Sequence, residues 1–453
     1  MFWSVRRMVV AASAAALVGG GANALAAEPS TQELMEQIKQ LQTKVQELEK
    51  KQDQQATAAS RADHERAIQD VLKDAEKRSQ WLQDETFVSN YHNGKFIFRD
   101  ETGNFTLHPW FQMQFRNVTN FRQDAVPGGD DNAQNGFEIR RAKFGVDGNL
   151  FTPKLTYFLN WGTRRQGGEL ELEQAWLKYQ LDANWSLQGG QFKDPFSHES
   201  LAWWDRQLAA ERSYPVVVFT GGDNYVQGVA ALYTQGPFRV NAAFHDGANQ
   251  YNTDFQDFPT NGADYGFATR AEYKVLGDWT DYVEFNAVGL KQDLMVVGAA
   301  IDYTEAGDTG TLLHTADAQY TLVNGWTFYG AYIARAYQNA PASSGTGAPV
   351  AATFDGYDWA IEAEAGYKFD QHWEPFARYT FTNFDQDRVG TLENEVHEIT
   401  VGVNYFWYNE SARFTVDATW LPNGAPISQG GTGILANDGS NEFVLRAQFQ
   451  LVL

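Results

Sequence analysis

Cysteine is absent from the 453 residues, which rules out disulfide frameworks, thiolate zinc sites and thiol nucleophiles together. Past the N-terminal region no stretch reaches the roughly eighteen consecutive apolar residues that mark a membrane-crossing helix. Positive charge is also short. Lysine and arginine number 35 against 57 acidic residues, a formal net charge of -22, and a nucleic-acid partner needs a basic face. Catalytic signatures are missing as well: there is no His-Glu-x-x-His, no Gly-x-Ser-x-Gly and no phosphate loop. The segment Gly431-Thr-Gly433-Ile-Leu-Ala436 mimics a dinucleotide fingerprint, but no helix-forming sequence follows it. The eight histidines are scattered without ligand spacing. Neither an enzyme nor a bound cofactor or metal is expected.

What is present begins with Arg6 and Arg7, an apolar run from Met8 to Leu17 broken only by Ser13, and small residues ending in Ala24-Leu25-Ala26. That is the pattern of a secretory signal peptide over residues 1–26. Residues 27–82 form a helical prefix. Leu34, Ile38, Leu41, Val45 and Leu48 alternate steps of four and three, a coiled-coil seam shorter than three heptads. Ala67, Ile68, Val71, Leu72 and Ala75 continue at helical spacing.

From Gly94 the periodicity changes from 3.6 to 2, so residues 83–453 read as a separate all-β domain. Phe105, Leu107, Pro109, Phe111, Met113 and Phe115 alternate with Gln112, Gln114 and Arg116. Trp359, Ile361, Ala363, Ala365, Tyr367 and Phe369 do so against Glu362, Glu364 and Lys368, and Phe443 to Leu453 repeats the pattern. One face of each strand suits lipid and the other suits water. The alternations run about nine to twelve residues, the length of a tilted membrane strand and roughly twice that of a soluble one. Trp161, Tyr179, Trp185, Tyr233, Tyr273, Trp373 and Trp420 fall near strand ends as aromatic girdles would. Long and short connections alternate, provided that residues 276–293 are one unusually long turn. The expected fold is a transmembrane antiparallel β-barrel of about sixteen strands, preceded by a short N-terminal coiled-coil helix.

Four motifs then stand in order: Phe137-Glu-Ile-Arg140-Arg141-Ala-Lys143-Phe-Gly-Val, Glu173-Gln-Ala-Trp-Leu-Lys-Tyr179, Gly190-Gln-Phe-Lys193-Asp-Pro195-Phe196-Ser197, and Glu211-Arg212-Ser213. Through residues 136–230 the chain resembles the phosphate-selective porin O and P family. The resemblance implies a homotrimer of diffusion channels in outer-membrane lipid, with the connection after the Gly-Gln-x-Lys motif folded inward to narrow the pore. It also implies small inorganic or organic anions as partners, held by Arg140, Arg141, Lys193, Ser197, Arg206 and Arg212. The residues themselves agree for the first pair. Phe137 and Ile139 share one parity while Ala142, Phe144 and Val146 share the other, so a bulge near Arg140 and Arg141 turns both inward. The competing role for this pair is to neutralise lumenal acids such as Glu138 and Glu173. Two other functions fit parts of the pattern: a tether reaching out through the coiled coil, and a sugar channel using Trp203 and Trp204. The processed chain is expected to begin near Ala27 and to fractionate with the outer membrane; N-terminal sequencing and membrane separation check this, and recovery as a soluble periplasmic protein would contradict it.

Overall fold

The computed structural model describes residues 88–92, 95–122, 133–255, 262–343, 349–408, 410–435 and 440–453, with isolated helical positions between 36 and 73. The chain divides into two units, Met1–Asp84 and Glu85–Leu453. The signal peptide and the five seam residues of the coiled coil lie outside the described residues. Among the described residues no helix is long and apolar enough to cross a membrane.

The second unit opens with a small hairpin, β1 (Val88–His92) and β2 (Lys95–Arg99), which the sequence pattern did not signal. The strands that follow are β3 (Thr106–Arg122), β4 (Ala133–Asn149), β5 (Leu155–Thr163), β6 (Leu170–Gln180), β7 (Trp185–Lys193) and β8 (Tyr225–Gln235). Next come β9 (Phe238–His245), β10 (Tyr265–Leu276), β11 (Leu294–Ala306), β12 (Thr309–Thr321) and β13 (Trp326–Ser343). The last are β14 (Pro349–Tyr367), β15 (Trp373–Asn383), β16 (Glu395–Tyr408), β17 (Ala412–Leu421) and β18 (Glu442–Val452). Each of these pairs antiparallel with its sequence neighbour, and β18 returns to pair with β3 from Glu442↔Arg122 to Val452↔Gln112. The sixteen strands β3 to β18 are therefore a closed barrel, and β2 adds to the foot of β3 at Phe98↔Leu107 and Arg99↔Thr106. Closure leaves no unpaired edge, which lipid cannot solvate.

Burial runs opposite to that of a water-soluble sheet. On β3 the buried residues are Gln112, Gln114, Arg116, Asn120 and Arg122, while Leu107, Phe115 and Phe121 are exposed. On β18 Arg446, Gln448 and Gln450 are buried and Phe443 and Leu445 exposed. Such an outer surface is stable only against hydrocarbon. Trp185 packs on Tyr233 and Trp373 on Tyr405, ring centres 4.8 Å apart in both pairs, at the strand ends where an interfacial belt forms.

No strand forms between Leu276 and Leu294, so the long turn required by parity is real. Elsewhere the connections depart from the pattern. Residues 164–169 and 307–308 are short links on the rim that otherwise carries the long loops, and β13 and β14 run for 18 and 19 residues through a region read as loop. Antiparallel pairing continues past the length the bilayer needs, because a paired backbone is already satisfied when it leaves the membrane.

The main apolar cluster lies inside the barrel. Phe196, Tyr214, Val216 and Phe219, from the connection between β7 and β8, pack with inward residues Ala300, Leu313, Ile333 and Ala360 and with Phe384, Val389 and Ile434 from other loops. Placing a guanidinium on the outer face, as in Val401→Arg, should cost about 2–4 kcal/mol near the bilayer midplane. Urea titration of barrels in lipid vesicles, followed by heat-modified gel mobility, should show that loss at Val401, which is 52% exposed.

Candidate functional site: the inward loop and its basic wall

Residues 194–224 fold into the lumen. Their ends are tied together, with Asp194 N–H donating to the Asn224 carbonyl at 2.8 Å and the Asn224 amide donating to the Asp194 carboxylate at 2.7 Å. Between them lie α1 (His198–Leu201), a 3-10 turn Trp204–Arg206, and α2 (Tyr214–Thr220). Pro215 suits the first turn of α2, where its missing N–H costs nothing, and Gly221 ends the helix in the left-handed region at φ 70°.

A loop with so little internal ladder must find backbone partners elsewhere. The barrel wall supplies them. Arg270 donates to the Phe196 carbonyl at 2.7 Å, Arg413 to Gln207 at 2.8 Å, Asn404 to Leu208 at 3.0 Å and Arg378 to Glu211 at 2.9 Å. The Asp417 carboxylate accepts from Ala210 N–H at 2.9 Å, and Glu398 accepts from Tyr214 N–H at 3.0 Å.

Three arginines converge on Glu211. The ladder between β3 and β4 shifts register where Gln114 faces Arg141 and Phe115 faces Ile139, which leaves Arg140 as the extra residue of a bulge. Both side chains consequently turn inward. Arg140 Nε and Arg116 Nη1 each donate to Glu211 Oε1 at 2.5 Å, and Arg141 Nη2 donates to Oε2 at 2.7 Å. Burial alone would raise the Glu211 carboxyl, but the three guanidiniums outweigh it and hold the group well below the usual carboxylate range. Arg116 also donates to Glu138 at 2.8 Å and to the Gly431 carbonyl at 2.6 Å, and Arg165 reaches Glu138 at 3.1 Å. The glycine-rich segment that mimicked a nucleotide fingerprint is thus a loop that caps the same arginine.

The remaining expected residues are placed apart from this cluster. Lys193 Nζ donates to the Ser200 carbonyl at 2.7 Å and pairs with Asp223 at 3.3 Å. Arg212 donates to the carbonyls of Glu199, Ser200 and Ala202 and to Asp223 at 2.9 Å. Burial would raise the Asp223 carboxyl, yet Lys143, Arg212 and Lys193 hold it well below its ordinary range. Arg141 and Arg212 both lie over the Trp204 indole, at 3.3 and 3.7 Å from its centre, and so join the two clusters. Ser197 precedes α1, is buried, and its carbonyl accepts from Leu201 N–H at 3.0 Å. Arg206 pairs with Glu284 of the long turn, while Phe285 N–H donates to the Arg206 carbonyl at 3.1 Å. Glu211, Asp223 and Arg116 had no assigned role in the sequence, and Trp204 entered only the sugar-channel reading. Arg116 carried a signal in its inward parity and Glu211 in the motif Glu211-Arg212-Ser213; the loop residues have no periodicity to read.

Among the described residues one group has metal-ligand chemistry: Asp194, His245 and Asp302, all buried. His245 Nε2 stands 3.1 Å from Asp302 and 3.9 Å from Asp194. Its Nδ1 accepts from Gly247 N–H at 3.0 Å, so in a neutral ring Nε2 carries the hydrogen and faces the carboxylates as a donor. A metal-bound histidine has the reverse arrangement, donating through its second nitrogen. Burial and the nearby Asp302 charge raise the Asp194 carboxyl, which suits a shared proton.

A profile of phosphate-selective porins O and P matches residues 111–423. The chain belongs to this porin family. The porin is also similar in fold to an anion-selective porin from Comamonas acidovorans, with TM-score 0.54, 11% identity, and 77% of this chain and 99% of that one covered. For OmpF of Salmonella typhi, solved in complex with daunomycin, the values are 0.51, 14%, 77% and 99%. No curated protein sequence matches it. The porin is an outer-membrane channel protein and not an enzyme.

Glu211→Gln should loosen the loop, because truncating one side of a buried ion cluster costs about 3–5 kcal/mol. Single-channel records are expected to become noisier and the loop easier to cleave by protease. Acid should not mimic this. A depressed carboxyl stabilises above its unfolded value of about 4.3, and that contribution is lost only as pH falls through the lower folded value. Wild-type conductance noise at about pH 4 should therefore match that at neutral pH.

Proposed function

We propose that the porin is a water-filled diffusion channel preferring small anions, with phosphate among them. The supporting observation is the charge on the open side of the loop. Arg116, Arg140, Arg141 and Arg165 meet two carboxylates, Glu138 and Glu211, so the cluster keeps an excess of positive charge. The Arg140, Arg165 and Glu138 side chains are 17%, 32% and 20% exposed, and a cavity of about 240 Å³ lies against Arg165 and Glu138. Acids on the opposite wall are numerous but screened by protein: Glu362, Glu364 and Glu398 are at most 5% exposed, behind the loop and around Arg378. A charge beside the water path acts in a low-dielectric wall, whereas rim acids are screened by salt over about 8 Å. Weak, partly neutralised sites also favour flow over capture.

The family resemblance extends the proposal to a homotrimer in outer-membrane lipid, exported by the signal peptide. The helical prefix adds to trimer stability in this reading and is not needed for conduction. Lys193, Ser197 and Arg212 serve as anchors that shape the constriction, and Arg140 with Arg165 meets the passing ion. Arg140→Gln with Arg165→Gln should reduce or reverse anion preference while the barrel stays folded. The reversal potential in a potassium chloride gradient measures this, and an unchanged value would place the filter elsewhere.

A further inference from the structure

A row of aromatic rings lines the lumen on the side of β3 to β6, away from the Glu211 cluster. Trp110 on β3, Phe158 on β5 and Trp176 on β6 all point inward, with ring centres 5.8 Å apart in the first pair and 5.5 Å in the second. Trp110 spans the intervening strand because Gly145 lies beneath it: a Cβ there would stand 2.6 Å from the indole. Trp203 of the inward loop completes the row, 5.5 Å from Trp110 and 5.6 Å from Phe158. All four rings are only half-buried.

Two cavities meet at this row, both lined by Phe158 and Trp203. One of about 320 Å³ faces the rim of short turns; the other, about 380 Å³, lies deeper against Trp176, Gln174, Gln188 and Asn241. The deeper one is the informative case. Among its lining residues Lys193 alone is charged, and that ammonium is committed to Asp223 and to loop carbonyls. The side-chain amides of Gln188 and Asn241 make no hydrogen bond to the described residues. Gln174 accepts from the Trp176 indole at 3.3 Å, which leaves its NH2 group to donate.

Rings beside uncommitted amides form a surface for a solute with an apolar face and a girdle of hydroxyls. Among the described residues the one cation at its edge, Lys178, lies over the Trp176 ring at 5.3 Å from its centre, so an anion would meet that single charge and no second cation free to pair with it. A purely apolar solute would leave the amides unpaired, at a cost of about 1–3 kcal/mol each when buried. We propose that Trp110, Phe158, Trp176 and Trp203 form a binding track for neutral saccharides inside the channel. The proposal rests on the protein being a channel and is independent of its ion preference.

The test is single-channel recording of the full-length protein in planar bilayers with maltotriose as the probe. Maltotriose is expected to interrupt the current in a concentration-dependent way. Trp176→Ala should raise its half-blocking concentration about tenfold, the equivalent of roughly 1.4 kcal/mol, and Trp176→Phe should restore most of the affinity. The reversal potential in potassium chloride should stay unchanged in both variants, which separates this result from the anion reading. Absence of block by maltotriose would overturn the proposal. So would block that is indifferent to both Trp176→Ala and Phe158→Leu, or block by benzoate in place of maltotriose.

Discussion

A polypeptide loop threaded through a barrel must satisfy its backbone without a ladder of its own, and this constraint organises the porin's interior. The wall answers with side chains that reach across the lumen. Arg270, Arg378, Arg413 and Asn404 donate to loop carbonyls, and Asp417 and Glu398 accept from loop amides. Inward arginine is consequently a structural residue here before it is a selective one. Its guanidinium carries several donors in a fixed fork, so one side chain holds a carboxylate and a carbonyl together, as Arg116 does with Glu211 and Gly431.

The same constraint sorts the charges of the lumen by access to water. Groups that hold the loop are buried behind it: Arg378, Glu398 and Arg212 are at most 3% exposed, with Arg378 paired to Glu398 and Arg212 to Asp223, and have little contact with a passing solute. Groups at its free edge keep some exposure, as Arg140 and Arg165 do. The formal charge of -22 is therefore a poor guide to permeation. Position relative to the loop decides whether an ion experiences a given residue.

Much of the barrel was legible in the sequence because the period-2 alternation is set by the bilayer itself. Gln112, Gln114 and Arg116 against Phe111, Met113 and Phe115 read directly as inside and outside, and the parity break at Arg140 and Arg141 located a bulge that the register shift at Gln114 and Phe115 matches. Loop lengths were less legible. Residues 336–357 read as loop because no bilayer constrains them, yet β13 and β14 pair through most of that stretch. The hairpin of β1 and β2 was missed for the same reason, being too short for an alternation to register.

The sequence by itself determined the all-β domain, the facing of its strands and the family that the motifs around Arg140, Lys193 and Glu211 resemble. These are local properties, carried by neighbours along the chain and by the contrast between lipid and water. Tertiary structure alone decided what the inward groups do. Glu211 meets Arg116 and Arg140 across separations of 95 and 71 residues. Trp203 closes a row in which Trp110 reaches Phe158 across the space that Gly145 leaves open. No periodicity encodes such meetings, because they depend on where a closed ring of strands brings a folded loop.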